Sequence, residues 1–303
     1  MSVVLVTGAS TGIGQETALH LARKGHDVYA SCRNPDGATE LQEKIAAEEL
    51  PVRVIARLLG VPKERSNDLL RWSNALVAMY QAGRTRRTEV AANAAALAFT
   101  AFLSDHIDAR RENLGNDLLS DLIRAEDDGQ KLTRQELIGT CILLLNAGHE
   151  ATVHTMGNAV KALLQNQIFD GAGQPTITDA MIEEILRFDP PLHVFNRFAY
   201  ETVHIGPHTL TSGQEIMLVL GAAGHDPRLV PDPNIFNPSR TASPHAAFGG
   251  GLHFCVGAPL ARLELKIGLQ RLFNAYPTLR LHGTPKYANC YHFHGLQELV
   301  VST

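Results

Sequence analysis

The stretch Phe248-Gly249-Gly250-Gly251-Leu252-His253-Phe254-Cys255-Val256-Gly257 decides how this chain is read. It opens a segment, Gly257 to Ala275, whose apolar residues recur at helical spacing. Cys255 therefore stands just before a helix N-terminus, where the dipole lowers a thiol's pKa and favours the thiolate, the form that binds metals. The glycines carry no Cβ, so their backbone can approach a flat ligand and offer N–H groups to sulfur. The plainer alternative is a glycine-rich turn beside a buried free cysteine.

Working outward, Glu184 and Arg187 lie three apart in a short helical segment, Thr178 to Phe188, ended by Pro190-Pro191. Residues at that spacing share a face and can pair, although such pairs are common on exposed helices. A Pro- and Asp-rich run, Asp226 to Pro244, carries Asn237-Pro238-Ser239-Arg240. Upstream, Thr133 to Gln165 reads as one long helix, with Thr133 and Glu136 forming a capping box. Its centre, Ile142 to Leu145, is apolar all round, so it should run through the core. Lys63 to Gln81, Thr85 to Glu112 and Asp117 to Ala125 read as amphipathic helices. Leu192 to Leu220 reads as short strands and turns.

The loop resembles the haem-binding loop of cytochromes P-450, Phe-x-x-Gly-x-x-x-Cys-x-Gly. Several further segments follow in that family's order. The resemblance implies that Cys255 is the thiolate ligand to haem (heme) iron, the one metal ligand. It implies that Phe248, Gly249, Gly251 and Gly257 line the cofactor and that His253 reaches a propionate. Arg197, after the Pro190-Pro191 break, matches a propionate-binding arginine, with Val194 and Phe195 lining the substrate pocket. Glu184, Arg187 and Arg240 match the family's Glu-Arg-Arg network, which locks the meander beneath the haem. Ala147-Gly148-His149-Glu150-Ala151-Thr152 resembles the oxygen-binding kink of the central helix. There the small Ala147, Gly148 and Ala151 would leave space for O2, and Glu150 would relay protons. The alcohol that usually follows the acid is replaced by Ala151. Thr152 lies one step on, about 100° around the helix, so it cannot simply substitute.

The first fifty residues differ. Ser2 to Val6 reads as a strand, Asp27 to Ser31 as a second, and Ala38 to Leu50 as a helix. Between the strands, Thr7-Gly8-Ala9-Ser10-Thr11-Gly12-Ile13-Gly14 opens an amphipathic stretch. Gly8 permits a sharp turn. Gly12 and Gly14, with Ser10 and Ile13 between and around them, leave room for a pyrophosphate at the helix N-terminus. These residues resemble the start of a short-chain dehydrogenase, and Arg33 could then pair with the 2′-phosphate of NADP. That family's catalytic Tyr-x-x-x-Lys occurs nowhere in the sequence. The switch falls near Leu50-Pro51-Val52-Arg53-Val54-Ile55, a segment that either family could carry.

The expected fold is mainly α (α+β): a truncated cytochrome P-450 fold over residues 50–303, preceded by a βαβ Rossmann-like fragment over 1–49. The function implied is a haem-thiolate monooxygenase. Its partners would be O2, a small organic substrate and a ferredoxin-type electron donor. The missing family N-terminal region would leave the haem more exposed. The alternatives are an NADP-binding module without catalytic residues and a non-catalytic fusion product. A separate possibility concerns Cys290, His292 and His294, alternate residues on a strand that could converge on one metal.

Composition fits this picture. The 303 residues are 45% hydrophobic and 19% charged, enough for a large core. A net charge of −4 gives no sign of nucleic-acid binding, and Arg84, Arg86 and Arg87 read as a solvated helix start. Cys32, Cys141, Cys255 and Cys290 lie far apart, which argues against disulfides and for a reducing, cytoplasmic setting. The N-terminus does not read as a signal peptide, and no run of eighteen apolar residues predicts a membrane span.

Overall fold

A computed structural model describes residues 3–7, 27–31, 46–81, 83–127, 132–168, 175–241, 244–289 and 292–302. Gly8, Ser10, Gly12, Ile13, Gly14 and Arg33 lie outside the described residues, as do Cys32 and Cys290.

The larger helices follow the periodic segments. They are α1 (Ala46–Leu58), α2 (Ser66–Val77), α3 (Arg86–Glu112), α4 (Leu118–Asp127), α5 (Arg134–Gln165), α6 (Asp179–Phe188) and α8 (Ala258–Ala275). A single turn, α7 (Leu220–Ala223), lies between α6 and α8. The cap chemistry explains several boundaries. The Thr133 hydroxyl accepts from the Glu136 N–H, and the Glu136 carboxylate takes the Thr133 N–H at 2.7 Å. Thr85 caps α3 with Thr88 as its reciprocal partner, and Thr178 caps α6.

Two apolar cores share one axle. Val52 and Ile55 of α1, with Leu59 just after it, pack with Leu69 and Trp72 of α2, Phe99, Leu103 and Ile107 of α3, and Leu137, Cys141 and Leu145 of α5. The other end of α5, Ala159 to Leu164, packs with Met181 to Leu186 of α6, Leu265, Leu269 and Phe273 of α8, and the C-terminal strand. Each fully buried large side chain contributes about 1.5–3 kcal/mol by leaving water. Between these cores, the middle of α5 buries polar groups instead: His149, Glu150, Thr152, Thr155 and Asn158.

The strands are short. β3 (Val194–Phe198) pairs antiparallel with β6 (Glu215–Val219), and β4 (Val203–Ile205) with β5 (His208–Leu210). β9 (Leu296–Ser302) pairs with β7 (Arg280–Leu281) and β8 (Lys286–Tyr287). At the N-terminal end, β1 (Val3–Thr7) and β2 (Asp27–Ser31) pair parallel, and β1 also pairs antiparallel with β9.

Two expectations need revision, and one open reading closes. Leu50 to Ile55, the segment either family could carry, is helical, part of α1, which has Pro51 inside it. Its Val52, Ile55 and Ala56 recur at helical spacing and are buried, so tertiary packing settles an ambiguous segment. The Ile142–Leu145 centre of α5 is not buried all round: Leu145 is fully buried while Leu143 is 61% exposed. Finally, α3 is long and apolar enough, by length and composition, to cross a membrane, which the count of consecutive apolar residues did not register. It lies against α2 and buries Ala92, Ala95, Phe99, Leu103 and Ile107 at helical spacing.

Candidate functional site

The Cys255 loop is closed by its own backbone. The Cys255 N–H donates to the Phe248 carbonyl at 2.9 Å, and Phe254 N–H donates to Gly251 at 3.0 Å. Gly249 and Gly251 adopt φ of +69° and +63°, which L side chains rarely adopt. Gly257 is different. Its φ of −81° is ordinary, and a Cβ there would lie 3.8 Å from the Cys255 sulfur. That is an ordinary contact, so neither the backbone nor crowding at the sulfur demands glycine there. The sulfur stands at the head of α8, with Pro259 in the helix's first turn.

The residues around the thiol suit a planar apolar ligand. Cys255 is a free, exposed thiol. Leu252 is 97% and Val256 85% exposed, while Gly250 and Gly251 would meet nothing if given a Cβ. Phe248 is half-buried, with the Arg262 guanidinium 4.6 Å over its ring. Apolar residues so bare are unusual on a folded surface and mark a place that something else covers. A soft sulfur donor amid apolar walls fits haem iron. His253 is exposed beside it. Arg197, on β3, is also exposed, and among the described residues its guanidinium reaches only the neighbouring Asn196 carbonyl, at 2.9 Å.

On α5, Leu143 and Ala147 are exposed and Ala151 half-buried, one side of the helix at spacings of four. Gly148 lies off this line. A Cβ on it would come within 2.4 Å of the Ile55 side chain, so its smallness admits α1 rather than O2. Glu150 is buried, and its carboxylate lies 3.3 Å from the His154 ring one turn on. The Thr152 hydroxyl is spent within the helix, donating to the Gly148 carbonyl at 3.1 Å. The helix continues unbroken through these residues. His149 is buried, its ring nitrogen 3.4 Å from the Ser73 hydroxyl, and burial lowers its pKa.

The meander is held by one carboxylate and two cations. Glu184 and Arg187 are fully buried and joined twice, at 2.7 and 2.8 Å. Arg187 also donates to the carbonyls of Gly224, Pro233 and Ile235. Glu184 accepts from the Asn237 N–H at 2.7 Å and from Arg240 at 3.2 Å. Arg240 in turn donates to Asp232 and Ile235 carbonyls at 2.6 and 2.8 Å. Beside this network, Glu183 takes Arg262 and His245, and those bonds hold its carboxyl down at about 2.

His292 and His294 do not share a metal with each other in the way alternation suggests. His292 lies against Tyr80 and Phe195, whereas His294 stacks on His193 and Tyr287. Sequence reading also passed over Asp189, Lys161 and Tyr287, which meet there through residues far apart in the chain.

Comparison with known proteins agrees with this arrangement. A family model described as cytochrome P-450 matches residues 173–288, and one described as short chain dehydrogenase matches residues 2–71. The cytochrome P-450 monooxygenase PikC of Streptomyces venezuelae is 38% identical over 262 residues, covering 85% of this chain and 61% of that protein. The biotin biosynthesis cytochrome P-450 of Bacillus subtilis is 34% identical, covering 82% of this chain and 64% of that one. Thus the chain spans about three-fifths of the length of these curated relatives. Among solved structures, ligand-free Mycobacterium smegmatis CYP164A2 superposes with a TM-score of 0.76 at 38% identity, covering 87% of this chain and 69% of that one. The BioI cytochrome P-450, solved with a hexadecenoic-acid-ligated acyl carrier protein, gives 0.79 at 31% identity, covering 97% and 76%. With this identity and coverage behind the Cys255 loop and the Glu184–Arg187–Arg240 network, the chain belongs to the cytochrome P-450 family.

Proposed function

We propose that the chain is a haem-thiolate monooxygenase, inserting one oxygen atom of O2 into a small organic substrate. The observation that carries this is the free, exposed Cys255 thiol at the head of α8, inside a loop closed onto Phe248. When bound, the haem supplies an electron-rich iron at which the O–O bond is cleaved. The protein's part is to hold and tune it. The N-terminus of α8 sets its partial positive charge beside Cys255. Phe248 walls the sulfur side, and Gly249 and Gly251 shape the turn beneath it. Arg197 and His253, both exposed, are the hydrogen-bond donors for the propionates. Leu143, Ala147 and Ala151 form the face of α5 that leaves room for dioxygen and substrate, with Val194 and Phe195 as a further wall. Glu150 holds the proton to be delivered, and His154 orients its carboxylate. Because the Thr152 hydroxyl is already bonded within the helix, water or a substrate hydroxyl completes the path.

Electrons reach haem singly, so the donor is a one-electron carrier of ferredoxin type rather than NADPH itself. The setting is cytoplasmic, in keeping with the free cysteines. We assign residues 1–49 as a dehydrogenase-like fragment and 50–303 as the haem-bearing portion. The parallel β1–β2 pair and the family-model match over residues 2–71 favour that reading of the N-terminal piece. NADP binding through Gly8, Ser10, Gly12, Ile13, Gly14 and Arg33 is its secondary consequence, without dehydrogenase chemistry. Fluorescence titration with NADPH, compared with Gly12→Asp, tests it.

The decisive experiment is the optical spectrum of the purified, haem-loaded, reduced protein under carbon monoxide. A strongly red-shifted Soret band is expected, and it should vanish in Cys255→Ala. A band at the histidine-ligated position, or one unchanged by Cys255→Ala, would refute the assignment.

A further inference from the structure

We propose a second metal site, for zinc or a similar divalent transition ion, formed by Asp189, His193 and His294 and not using Cys255. The three side chains come from separate parts of the chain. Asp189 caps the C-terminus of α6, His193 follows the Pro190-Pro191 turn, and His294 lies just before β9. One ligand atom from each lies within 4.8 Å of the other two. Tetrahedral zinc with bonds of about 2.0–2.1 Å sets its ligand atoms about 3.3 Å apart. His294 Nε2 and Asp189 Oδ1 lie 3.2 Å apart, the length of such an edge, in a hydrogen bond that the ion would replace. Closing the rest requires the His193 ring to rotate about its side-chain torsions away from its stack on His294.

The backbone pre-sets the arrangement. The Asn158 amide donates to both the Asp189 carbonyl at 3.2 Å and the His294 carbonyl at 3.0 Å. The His294 N–H donates to the Pro191 carbonyl at 2.7 Å, and the His193 carbonyl accepts from Gly221. The main chain around the ligands is thus cross-tied before any ion arrives.

Outer groups orient the ligands as metal sites require. Lys161 Nζ and the Tyr287 hydroxyl both bond to Asp189 Oδ2, which leaves Oδ1 turned to His294. The Tyr287 ring stacks on the His294 ring at 3.9 Å and holds it in place, while the His193 ring, stacked on it at 4.0 Å, must turn out of that stack to bring its in-plane lone pair onto the same ion. His193 also bonds to the Pro190 backbone. Two imidazoles and a carboxylate suit zinc and its neighbours, with a fourth position for water. Both histidines are half-buried, so an ion has a way in. Once bound, it ties the turn after α6 to the segment that leads into β9.

The test is a titration of the purified full-length chain with Co2+, read by visible absorption. One equivalent should give an intense, tetrahedral-type spectrum that Zn2+ displaces and that persists in Cys255→Ala. His294→Ala should abolish it. His193→Gln, at a half-exposed position, should abolish it as well and serves if His294→Ala does not fold. Tyr287→Phe keeps all three ligands and should weaken binding about 10–100-fold, the usual effect of removing an outer partner. The proposal is overturned if Co2+ shows no saturable binding, if its spectrum is the weak octahedral kind, or if the signal survives in both histidine variants.

Discussion

Replacing Arg187 with methionine strips one side chain from the centre of the meander network. Arg187 is fully buried and makes five hydrogen bonds: two to Glu184 and one each to the carbonyls of Gly224, Pro233 and Ile235. In the variant, Glu184 keeps only the Asn237 N–H and the Arg240 guanidinium among these partners. Ile235 keeps Arg240 as a donor. The Glu184 carboxylate and the Gly224 and Pro233 carbonyls are then under-satisfied, at about 1–3 kcal/mol for each buried group. Removing one member of a buried pair typically costs about 3–5 kcal/mol, which agrees with that range. We therefore expect a loss of about 4 kcal/mol, seen in urea denaturation followed by far-UV circular dichroism. At roughly 2–4 °C per kcal/mol, the melting temperature should drop by roughly 8–16 °C. The double variant Glu184→Leu/Arg187→Met should lose less than the sum of its singles, because the stranded carboxylate is gone too. A loss below about 1 kcal/mol for Arg187→Met, or strict additivity in the double variant, would refute this account of the network.

Other substitutions probe different parts of the molecule. A Cβ on Gly224 would sit 2.5 Å from the Arg187 backbone carbonyl, so Gly224→Ala should cost about 1–3 kcal/mol, again by urea denaturation. Burial raises the Glu264 carboxyl from 4.5 to about 7, so the folded state holds a proton that the unfolded chain releases. Stability should then fall as pH rises from about 4.5 to 7, by up to about 3 kcal/mol, and Glu264→Gln should flatten that slope. Glu183 titrates the opposite way. Its bonds to Arg262 and His245 lower it from 4.5 to about 2, so its contribution is present above 4.5 and is lost as pH falls toward 2. With the Glu183 side chain one-third exposed, Glu183→Gln should cost no more than about 1 kcal/mol at pH 7, and the difference should disappear near pH 2. Thr133→Ala should cost about 1 kcal/mol by removing the α5 cap.

Much of the helical frame is legible in the sequence because its signals are local. Thr133 and Glu136 are three residues apart, and Pro190-Pro191 follows directly on α6. The Cys255 loop is a single continuous motif, and its chemistry depends on the helix that comes next. The Glu184–Arg187 pair was legible as a pair, but its burial came only from the meander folding over it. Other features rest on distant contacts. Gly148 looked like an opening for dioxygen, yet Ile55, more than ninety residues earlier, fills the space. Leu143 looked like core because hydrophobicity does not say which cavity a side chain faces. His294 was assigned neighbours by strand alternation, whereas its real partners, Asp189 and His193, are set by where α6 ends and β9 begins.

The close seating of Ile55 against Gly148 also bears on how such a gene could be assembled. From Val52 onward, one side of α1 and the turn after it are interior, with Val52, Ile55, Ala56 and Leu59 all at most 5% exposed. A recombination breakpoint placed downstream of Val52 would have to supply a foreign helix with the same knobs. One placed upstream keeps those knobs, although the leader's first strand must still pair with β9. Shuffling of heterologous N-terminal segments onto this scaffold should therefore yield soluble chimaeras when the seam precedes Val52 and aggregates when it falls between Val52 and Leu59.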